Sequence, residues 1–394
     1  MSKLLKICCS EWINESRDKK ELSVAREVGF DVVVMAKGKP DDKFKHEKVA
    51  GFDVYRFSTR SLGNIKHLEP INRIINLIKW SFFARKFKPD VISGHDLYAL
   101  LIGYLSTLFI FKNKKPKLVY DSHEFELGRA CKRSKLAKIF VYLLENFLIK
   151  RCSFSIMPGD AIADKVKEIH KLKEGPVVIR NVPYYWNIDE KECKKKRKEL
   201  SDLLNVSEDK FMIMTHGGLL RYRGIESFIR AVSKNKDIVG IVLGNGEENY
   251  VKELKKLSRE EKVVDRILFL KAVDIEELWK YVGAVDVSLC CGVFKNGYSN
   301  HRMCLPNKLF ESIQALTPLI CNETLVECKK VIDKYDIGLT CDIENTDEVN
   351  SCINRLIEDK NLYNSFKENL KIAKKDLCFE KEKQALVNAY KSIL

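Results

Sequence analysis

Residues 211–243 read FMIMTHGGLLRYRGIESFIRAVSKNKDIVGIVL: an apolar run, a glycine-rich turn, a helical stretch and a second apolar run. We predict strands at Phe211–His216 and Ile238–Leu243, with a helix between them from Gly224 to Ser233. A helix that joins two consecutive strands is the crossover that parallel strands require. The stretch therefore predicts an α/β fold with a parallel sheet covered by helices.

The same alternation of short apolar runs and longer helical patterns extends along the whole chain. In the first half we predict strands near Leu4–Cys9, Asp31–Ala36, Asp53–Phe57, Val91–Gly94, Leu118–Asp121, Phe154–Met157 and Val177–Ile179. In the second half, further strands are predicted at Ile267–Leu270 and Val285–Leu289. This order predicts two tandem Rossmann-like, doubly wound domains that face a central cleft.

The chain length supports two domains. One hydrophobic core stops growing at roughly 250–300 residues, and this chain has 394. The strand pattern lapses in a polar, lysine-rich region after Pro183. We therefore predict an N-terminal domain over residues 1–185, a linker over 186–208 and a C-terminal domain over 209–375. The last helical stretch, within 376–394, is predicted to pack back on the N-terminal domain.

Charge and cysteine content limit the classes of function. The net charge of +15 indicates an anionic partner, but the densest basic run, residues 194–198, has no aromatic stacking motif beside it, so we predict no nucleic-acid partner. The thirteen cysteines follow no secretion signal and no metal-binding spacing, since Cys8-Cys9 and Cys290-Cys291 are adjacent pairs. They indicate a cytoplasmic protein with cysteines in its core. The apolar segment Leu97–Phe111 is too short to span a bilayer and predicts a buried helix.

Glycines and a cation follow the predicted strands of the second half, at the edge where parallel sheets bind ligands. Gly217 and Gly218 come directly after the first strand, and Arg223 precedes the next helix. Glycines allow close backbone approach, and a helix N-terminus and an arginine both favour an anion, so this turn suits a diphosphate. A plain glycine turn is the alternative. Gly246 follows the second strand in a similar turn that lacks the GxGxxG pattern of nicotinamide enzymes.

Residues 300–315 read NHRMCLPNKLFESIQA and combine three features of a phosphate site. Pro306 can open a helix whose first N–H groups face a phosphate. Lys308 adds positive charge, and Glu311, one turn further on, can accept hydrogen bonds from ribose hydroxyls. The alternative is an ordinary capped helix with an exposed lysine.

Together these motifs resemble those of the family-4 retaining glycosyltransferases of the GT-B fold, of the bacterial surface-polysaccharide type. In the second half the likeness rests on GGLLRYRG at 217–224, LGNGEE at 243–248 and LPNKLFESIQA at 305–315, followed by TPLI at 317–320. In the first half it rests on YDSHE at 120–124 and IRNVP at 179–183. The resemblance implies an acceptor-binding N-terminal domain and a C-terminal domain that binds a nucleotide sugar.

The resemblance also implies roles for single residues. Arg223 and Lys308 would hold the donor diphosphate and act in catalysis together with His123, which would touch the transferred sugar or the acceptor. The other donor-binding positions would be Gly217, Gly218, Gly246, Asn300, Asn307, which contributes backbone contacts, and Glu311, which binds the ribose. His95 and Glu124 would lie on the acceptor side.

Two positions depart from the family pattern. Many members carry a glutamate eight positions before Glu311, where this chain has Met303, and many carry an arginine in place of Gly218. A methionine cannot accept a hydrogen bond from a sugar hydroxyl as a carboxylate does. Sugar recognition is therefore expected to use other groups, such as Asn300 or backbone N–H.

The expected reaction moves a sugar from a nucleoside-diphosphate sugar to a glycan or lipid-linked acceptor with retention, in cell-surface polysaccharide or lipopolysaccharide synthesis. We expect no metal cofactor, because no Asp-x-Asp motif ends a strand and cationic side chains can stabilise the leaving diphosphate. A sugar-nucleotide epimerase on the same scaffold and a basic nucleic-acid binder are the alternatives. The first lacks a recognisable pair of carboxylates, and the second rests on charge alone.

Residues 74–88 combine aromatic and basic side chains, including Trp80, Phe82 and Arg85. A helix of this kind can lie on an anionic inner-membrane surface, which would make the protein peripheral on the cytoplasmic face of the membrane. The alternative is a Rossmann helix with its apolar face on the sheet.

Overall fold

The computed structural model describes residues 1–13, 15–38, 44–58, 69–108, 115–129, 133–292 and 299–394. They form two compact units: Met1–Arg180 with Glu382–Leu394, and Asn181–Lys381. Each unit is built on one sheet of mainly parallel strands with helices between them. The predicted α/β class and the two Rossmann-like halves are confirmed.

The sheet of the first unit has the spatial order β3-β4-β2-β1-β5-β6-β7-β8. Its strands are β1 Lys3–Cys8, β2 Asp31–Lys37, β3 Phe44–Val49, β4 Phe52–Phe57, β5 Val91–His95, β6 Lys117–Asp121, β7 Phe154–Met157 and β8 Val177–Val178. The ends of the seven predicted strands lie within one residue of these. The edge strand β3, antiparallel to β4, was not predicted, because its sequence FKHEKV is mostly polar.

The helices of the first unit connect these strands. They are α1 Ser16–Val28, α2 Glu69–Lys86, α3 Asp96–Leu108, α4 Lys135–Ile149 and α5 Asp160–His170. The predicted apolar helix Leu97–Phe111 corresponds to α3, and residues 109–111 lie outside the described part of the chain. No helix among the described residues is both long enough and apolar enough to cross a membrane.

The sheet of the second unit is parallel throughout and has the order β11-β10-β9-β12-β13-β14. Its strands are β9 Phe211–His216, β10 Ile238–Leu243, β11 Ile267–Leu270, β12 Val287–Cys290, β13 Leu319–Asn322 and β14 Gly338–Cys341. The strand order reverses between β9 and β12, as in the doubly wound dinucleotide-binding fold. The carboxyl ends of these two strands are therefore where a ligand is expected.

Helices cover both faces of this second sheet. They are α6 Glu190–Leu204, α7 Ile225–Lys234, α8 Glu248–Glu260, α9 Ile275–Val282, α10 Ser299–Met303, α11 Asn307–Gln314, α12 Val326–Tyr335, α13 Thr346–Glu358 and α14 Lys360–Asp376. One core cluster joins α7 and α13 to the sheet, and another joins α6 and α9 to it. Buried strands with helices on both sides explain the near-continuous apolar runs in the sequence.

Residues 186–208 differ from the predicted linker, because they contain α6. Its lysine-rich face is solvated, whereas Leu200 and Leu204 are buried in the core of the second unit with β9 and β10. Arg197 also binds this unit, by donating to Asp286 at 3.0 Å. The run of charges at 194–198 dominates the local composition and concealed an amphipathic helix.

The C-terminal helix α15, Phe379–Lys391, brings the chain back to the first unit, which includes residues from Glu382 onward. Tyr390 is fully buried there, packs edge-on against Phe30 and Phe154, and donates to Glu21 at 2.5 Å. Lys117 donates to the carbonyl of Ile393 at 2.9 Å. The first unit is thus completed by the last residues of the chain.

Candidate functional site

The first part of the site is the glycine turn after β9. Gly217 and Gly218 are exposed, and Gly217 has a φ of +104°, a conformation that favours glycine. A Cβ atom added at Gly217 would meet nothing within 4 Å, and one at Gly218 would meet only Leu220, at 4.0 Å. The turn therefore leaves open space at the carboxyl end of β9, as the sequence predicted.

The glycine turn after β10 packs directly against the turn after β9. Gly246 forms an isolated parallel bridge with Leu219, and a Cβ atom at Gly246 would lie 2.6 Å from the Leu219 carbonyl oxygen. A Cβ atom at Gly244 would lie 1.9 Å from the carbonyl oxygen of Gly217. These two glycines are required because backbone packs directly on backbone, so Gly246 shapes the predicted donor loop.

Lys308 lies in the first turn of α11 and is buried, not exposed as in an ordinary capped helix. Its Nζ donates to Thr215 Oγ1, at the end of β9, at 3.3 Å. No carboxylate among the described residues lies within 4.0 Å of Nζ. Pro306 is the N-cap residue, and no side chain caps the first N–H groups of the helix. Because Lys308 is in the first turn, its ammonium group adds to the positive end of the helix dipole. A buried cation without a counter-ion is costly unless an anionic ligand binds beside it.

Glu311 follows Lys308 by one turn and is also buried. Its Oε2 lies 2.9 Å from Nε2 of His216, the last residue of β9. The Nδ1 atom of His216 is buried without a hydrogen-bond partner in the described structure. His216 was not predicted as a site residue, although its position between a strand and a glycine turn was a usable signal.

Arg223 stands in a short 3₁₀ turn, Arg221–Arg223, directly before α7. Its Nε atom is buried and has no hydrogen-bond partner within the described ranges. The next residue, Gly224, has a φ of +69°, and a Cβ atom there would lie 2.3 Å from the carbonyl oxygen of Cys291. This close approach fixes the backbone next to Arg223 beside the end of β12.

The charges of Lys308 and Arg223 both act on Cys290, the last residue of β12. Hydrogen bonds from Cys321 and Cys328 hold the pKa of the Cys290 thiol well below its ordinary value, although burial opposes this. The charges of Lys308 and Arg223 lower the same pKa further. The switch point of the second sheet is therefore a region of positive potential.

The two predicted asparagines differ in their surroundings. Asn307 is exposed and accepts a hydrogen bond at 2.9 Å from the side chain of Asn181. Asn300 is buried on α10, the short helix that ends at the half-buried Met303. Met303 stands where many family members have a glutamate, and Asn300 provides a buried side-chain amide on the same short helix.

In the first unit, His95 and His123 are stacked at the carboxyl ends of β5 and β6, with ring centroids 3.7 Å apart. Asp18, at the start of α1, binds both rings: His95 Nδ1 lies 2.8 Å from one carboxylate oxygen, and His123 Nε2 lies 3.1 Å from the other. His123 Nε2 is also 3.2 Å from Asp121. The sequence predicted His123 near the transferred sugar or the acceptor and His95 on the acceptor side. The structure shows that one aspartate contacts both rings.

The charges of this cluster shift several pKa values. Although burial lowers the pKa of His95, its hydrogen bond to Asp18 raises that pKa to about 11. Burial and Arg17 likewise oppose protonation of His123, but Asp121 and Asp18 raise its pKa above the ordinary value. The acidic partners therefore favour the protonated form of both rings.

Cations hold the carboxylates beneath the two histidines. Lys6 Nζ lies 2.6 Å from Asp121, 2.5 Å from Glu21 and 3.3 Å from Asp18, and all four side chains are buried. Arg17 donates to Asp121 as well. Asp18, His95, Asp121 and His123 are near enough to share a metal ion, but Lys6 and Arg17 already supply the balancing charge.

Glu124, the other predicted acceptor-side residue, is exposed, and its carboxylate lies 3.8 Å from Arg129. Arg129 also pairs with Asp96, which accepts a hydrogen bond from the His123 backbone N–H at 3.0 Å. The predicted residues thus fall into two groups. One is the histidine cluster of the first unit, and the other surrounds Lys308 in the second.

Two family models match successive parts of the chain. The model described as Glycosyltransferase Family 4 matches residues 24–181, and the model described as Glycosyl transferases group 1 matches residues 196–372. Together they span the two units that carry the candidate site. The chain therefore belongs to the glycosyltransferases of the GT-B fold. No curated protein sequence matches it significantly.

Solved structures have the same fold at low sequence identity. HepE from Anabaena, in complex with UDP-glucose, is 16% identical with a TM-score of 0.74 over 100% of both chains. The lipopolysaccharide outer core galactosyltransferase WaaB is 12% identical with a TM-score of 0.66 over 100% of both chains. WaaG, a glycosyltransferase involved in lipopolysaccharide biosynthesis, is 14% identical with a TM-score of 0.61, covering 97% of this chain and 98% of its own.

Proposed function

We propose that this protein transfers a sugar, with retention of anomeric configuration, from a nucleoside-diphosphate sugar to a glycan or lipid-linked acceptor. The pathway would be the synthesis of cell-surface polysaccharide or lipopolysaccharide. The observation that carries the proposal is Lys308, a buried cation without a carboxylate partner among the described residues, beside an open glycine turn. The UDP-glucose complex of the similar protein HepE supports a nucleotide-sugar ligand.

In this proposal the diphosphate binds between α11 and the turn after β9. Lys308 and Arg223 neutralise its charge, and the open backbone at Gly217 and Gly218 allows the phosphates to approach closely. As the bond to the sugar breaks, negative charge grows on the departing diphosphate, and these fixed cations stabilise it without reorganising. Binding and leaving-group stabilisation therefore use the same groups.

Glu311 binds the ribose hydroxyls through the carboxylate oxygen that does not face His216. The hydrogen bond at 2.9 Å to His216 fixes the orientation of the carboxylate, which makes His216 a positioning residue. Asn307 and Gly246 complete the donor side. Asn300, buried near Met303, takes over contacts to the sugar that the usual family glutamate would make.

We propose that no metal ion takes part in the transfer. Two cationic side chains at the switch point supply the charge that a divalent ion would otherwise bring to the diphosphate. Retention is proposed to follow a front-face route in which the donor phosphate accepts the acceptor proton. This route agrees with the oxocarbenium-like state of glycosyl transfer.

On the acceptor side, His123 is proposed to contact the transferred sugar or the acceptor as a hydrogen-bond donor. Its Nε2 atom faces Asp18 and Asp121, and these carboxylates raise its pKa and favour the protonated ring. A protonated ring donates a hydrogen bond and does not act as a base. His95 holds the ring by stacking, and Glu124 offers an exposed carboxylate.

The test of the donor site is the variant Lys308→Met, which keeps the buried volume and removes the charge. Binding of nucleoside diphosphates, beginning with UDP, is measured by calorimetry, and turnover is measured with a radiolabelled nucleotide sugar. Loss of a charged hydrogen bond costs about 1.5–3 kcal/mol, so we expect binding to weaken about 10- to 100-fold. Turnover should fall by at least about 100-fold.

The matched control is Lys252→Ala, which removes an exposed lysine of α8 that pairs with Glu248. It should bind and turn over the donor as the wild type does. Unchanged nucleotide affinity in Lys308→Met, or the absence of binding by the wild type to any nucleoside diphosphate, would contradict the proposed function.

We propose further that the first unit binds an anionic membrane surface, where a lipid-linked acceptor would reside. The support is α4, whose apolar residues are exposed at helical spacing: Leu136, Ile139, Phe140, Leu143 and Phe147. Basic residues lie near both ends of the helix, namely Arg133, Lys135, Lys138, Lys150 and Arg151. An apolar stripe among basic residues is typical of helices that lie in a membrane interface.

Helix α2 contains most of the basic, aromatic stretch 74–88, and some of its residues contribute to the same surface. Its Trp80 is buried, as the Rossmann-helix alternative predicts, whereas Ile74, Ile78 and Phe82 are exposed. Helix α3 joins the two, since Tyr98 donates to the Arg73 carbonyl of α2 and Tyr104 packs edge-on against Phe147 of α4. The exposed apolar residues of α2 and α4 form the surface that we propose for the membrane.

A further inference from the structure

Three cysteines from distant parts of the second unit meet in its interior. Cys290 ends β12, Cys321 lies in β13, and Cys328 lies in the first turn of α12. All three are buried, with at most 1% of any of them exposed. Their sulfur atoms all lie within 4.8 Å of one another.

The register of β12 and β13 and the position of α12 bring the three cysteines together. Cys290 and Cys321 are directly opposite each other in the register of the parallel strands β12 and β13, so their side chains leave the sheet on the same face. Cys328 approaches that face from α12, and its Sγ lies 3.6 Å from the carbonyl oxygen of Cys304. The sulfurs are therefore held together by three separate elements in the buried interior of the second unit.

We propose that Cys290, Cys321 and Cys328 form a three-thiolate binding site for a soft d¹⁰ metal ion, with Cu(I) as its best match. Soft thiolate ligands select such ions. Zinc in closed structural sites takes four ligands, and the described residues bring only three sulfurs together here. Binding of Cu(I) would form three metal–sulfur bonds with no change in oxidation state, and each thiol that is still protonated would release its proton to solvent.

The surroundings favour the charge of this complex. One Cu(I) ion and three thiolates carry a net charge of −2. Arg223 can balance part of this charge, because the next residue, Gly224, packs against the backbone of Cys291, the neighbour of Cys290. Nearby positive charge stabilises a thiolate. The site lies away from solvent and does not depend on the proposed transferase activity, although a metal there would place negative charge next to the proposed diphosphate cations.

The experiment titrates the reduced, full-length protein anaerobically with Cu(I) supplied from a chromogenic chelator. We expect one equivalent to leave the chelator for the wild-type protein. The variant Cys321→Ala should bind that equivalent at least about 100-fold more weakly, because a lost direct ligand costs more than a lost outer-shell partner. Circular dichroism checks that the variant is folded.

Background binding by the other cysteines is controlled with Cys341→Ala. Cys341 lies in β14 and interacts with the thiol of Cys352, a separate pair in the same unit. This variant should keep the first equivalent unchanged. Cu(I) should also raise the unfolding temperature of the wild type and of Cys341→Ala, but not that of Cys321→Ala.

Three outcomes would overturn the proposal. The first is equal Cu(I) affinity of the wild type and Cys321→Ala. The second is a wild-type protein that takes no Cu(I) from the chelator. The third is a disulfide between two of the three cysteines in the anaerobically reduced protein, detected as a mass two hydrogens lower, because it would remove the ligands.

Discussion

Lys6 and Lys308 are both buried lysines, but their partners differ. Lys6 contacts Asp18, Glu21 and Asp121, so its charge is balanced within the protein. Lys308 contacts a threonine hydroxyl, and no carboxylate of the described residues lies within ion-pair distance. The charge of Lys6 is therefore balanced inside the protein, whereas we propose that the charge of Lys308 is balanced by a bound anion.

The shared aspartate makes the histidine cluster sensitive to pH. The pKa of His95 is about 11 in the folded protein and about 6.5 in an unfolded chain. Because the folded state binds this proton more tightly, the resulting stabilisation is complete below about pH 6.5 and is lost as the pH rises toward the folded value.

We therefore predict that His95→Asn lowers the free energy of unfolding by about 1.5–3 kcal/mol near pH 6, through the loss of a charged hydrogen bond to Asp18. The difference between variant and wild type should shrink between pH 6.5 and 10. Urea denaturation at a series of pH values measures it. His46→Asn, which changes an exposed histidine paired with Asp53, serves as the control. A difference for His95→Asn that does not change with pH would exclude this origin.

At the scale of elements, helix α4 has two kinds of surface. Its buried residues include Glu145 and Leu148, whereas the residues at 136, 139, 140, 143 and 147 are apolar and exposed. Five exposed apolar residues on one helix face are unfavourable in water unless another surface covers them. This is why we assign membrane contact to the element and not to a single residue.

The prediction is that Phe140→Glu abolishes most binding to vesicles that contain phosphatidylglycerol. The ring is 66% exposed, so the fold should be unaffected, while burial of a phenylalanine side chain contributes about 1.5–3 kcal/mol. We expect vesicle affinity to fall about 10- to 100-fold in a sedimentation assay. Added salt should weaken wild-type binding, because part of the attraction is electrostatic.

Leu203→Glu provides the matched control, since Leu203 is a similarly exposed apolar residue of α6 in the second unit. It should bind vesicles as the wild type does. Equal losses in both variants would point to a general effect of added negative charge, and wild-type binding that is insensitive to salt would argue against an anionic surface.

At the scale of the whole molecule, the last residues of the chain stabilise the first unit. The chain leaves the first unit after Arg180 and returns at Glu382. Glu382 accepts hydrogen bonds from Arg180, and Tyr390 donates to the buried Glu21. Burial raises the pKa of Glu21, and Lys6 opposes this rise. The first unit is therefore incomplete until the whole chain has been made.

We predict that Tyr390→Phe destabilises the first unit by about 1–3 kcal/mol, because Glu21 loses a buried donor. Hydrogen–deuterium exchange should become faster in β1 and α1 and remain unchanged in β9 and β10. Tyr335→Phe, which removes an exposed hydroxyl near Asp376 in the second unit, should leave exchange in β1 and α1 unchanged. Faster exchange throughout both units would show that the effect is not confined to the first.

Most elements were predictable from the sequence, but strands β3, β13 and β14 were not predicted and α6 was assigned to a linker. Strand β3 is a polar edge strand without the apolar pattern that marks buried strands. Helix α6 was assigned to a linker because the charges at 194–198 concealed Leu200 and Leu204. In β3 and α6 polar residues outnumber apolar residues, so composition alone pointed away from regular structure.

The sequence by itself determined the α/β fold and the positions of the glycine turns that we propose for the donor, because strand and helix periodicity and glycine turns are local properties of the chain. Only the tertiary structure decided that Lys308 is buried, that Glu311 meets His216 and that three distant cysteines converge. It also decided which faces of α2 and α4 stay exposed. These facts depend on contacts between residues far apart in sequence, and the order of the strands in the sheets, not the local pattern, brings such residues together.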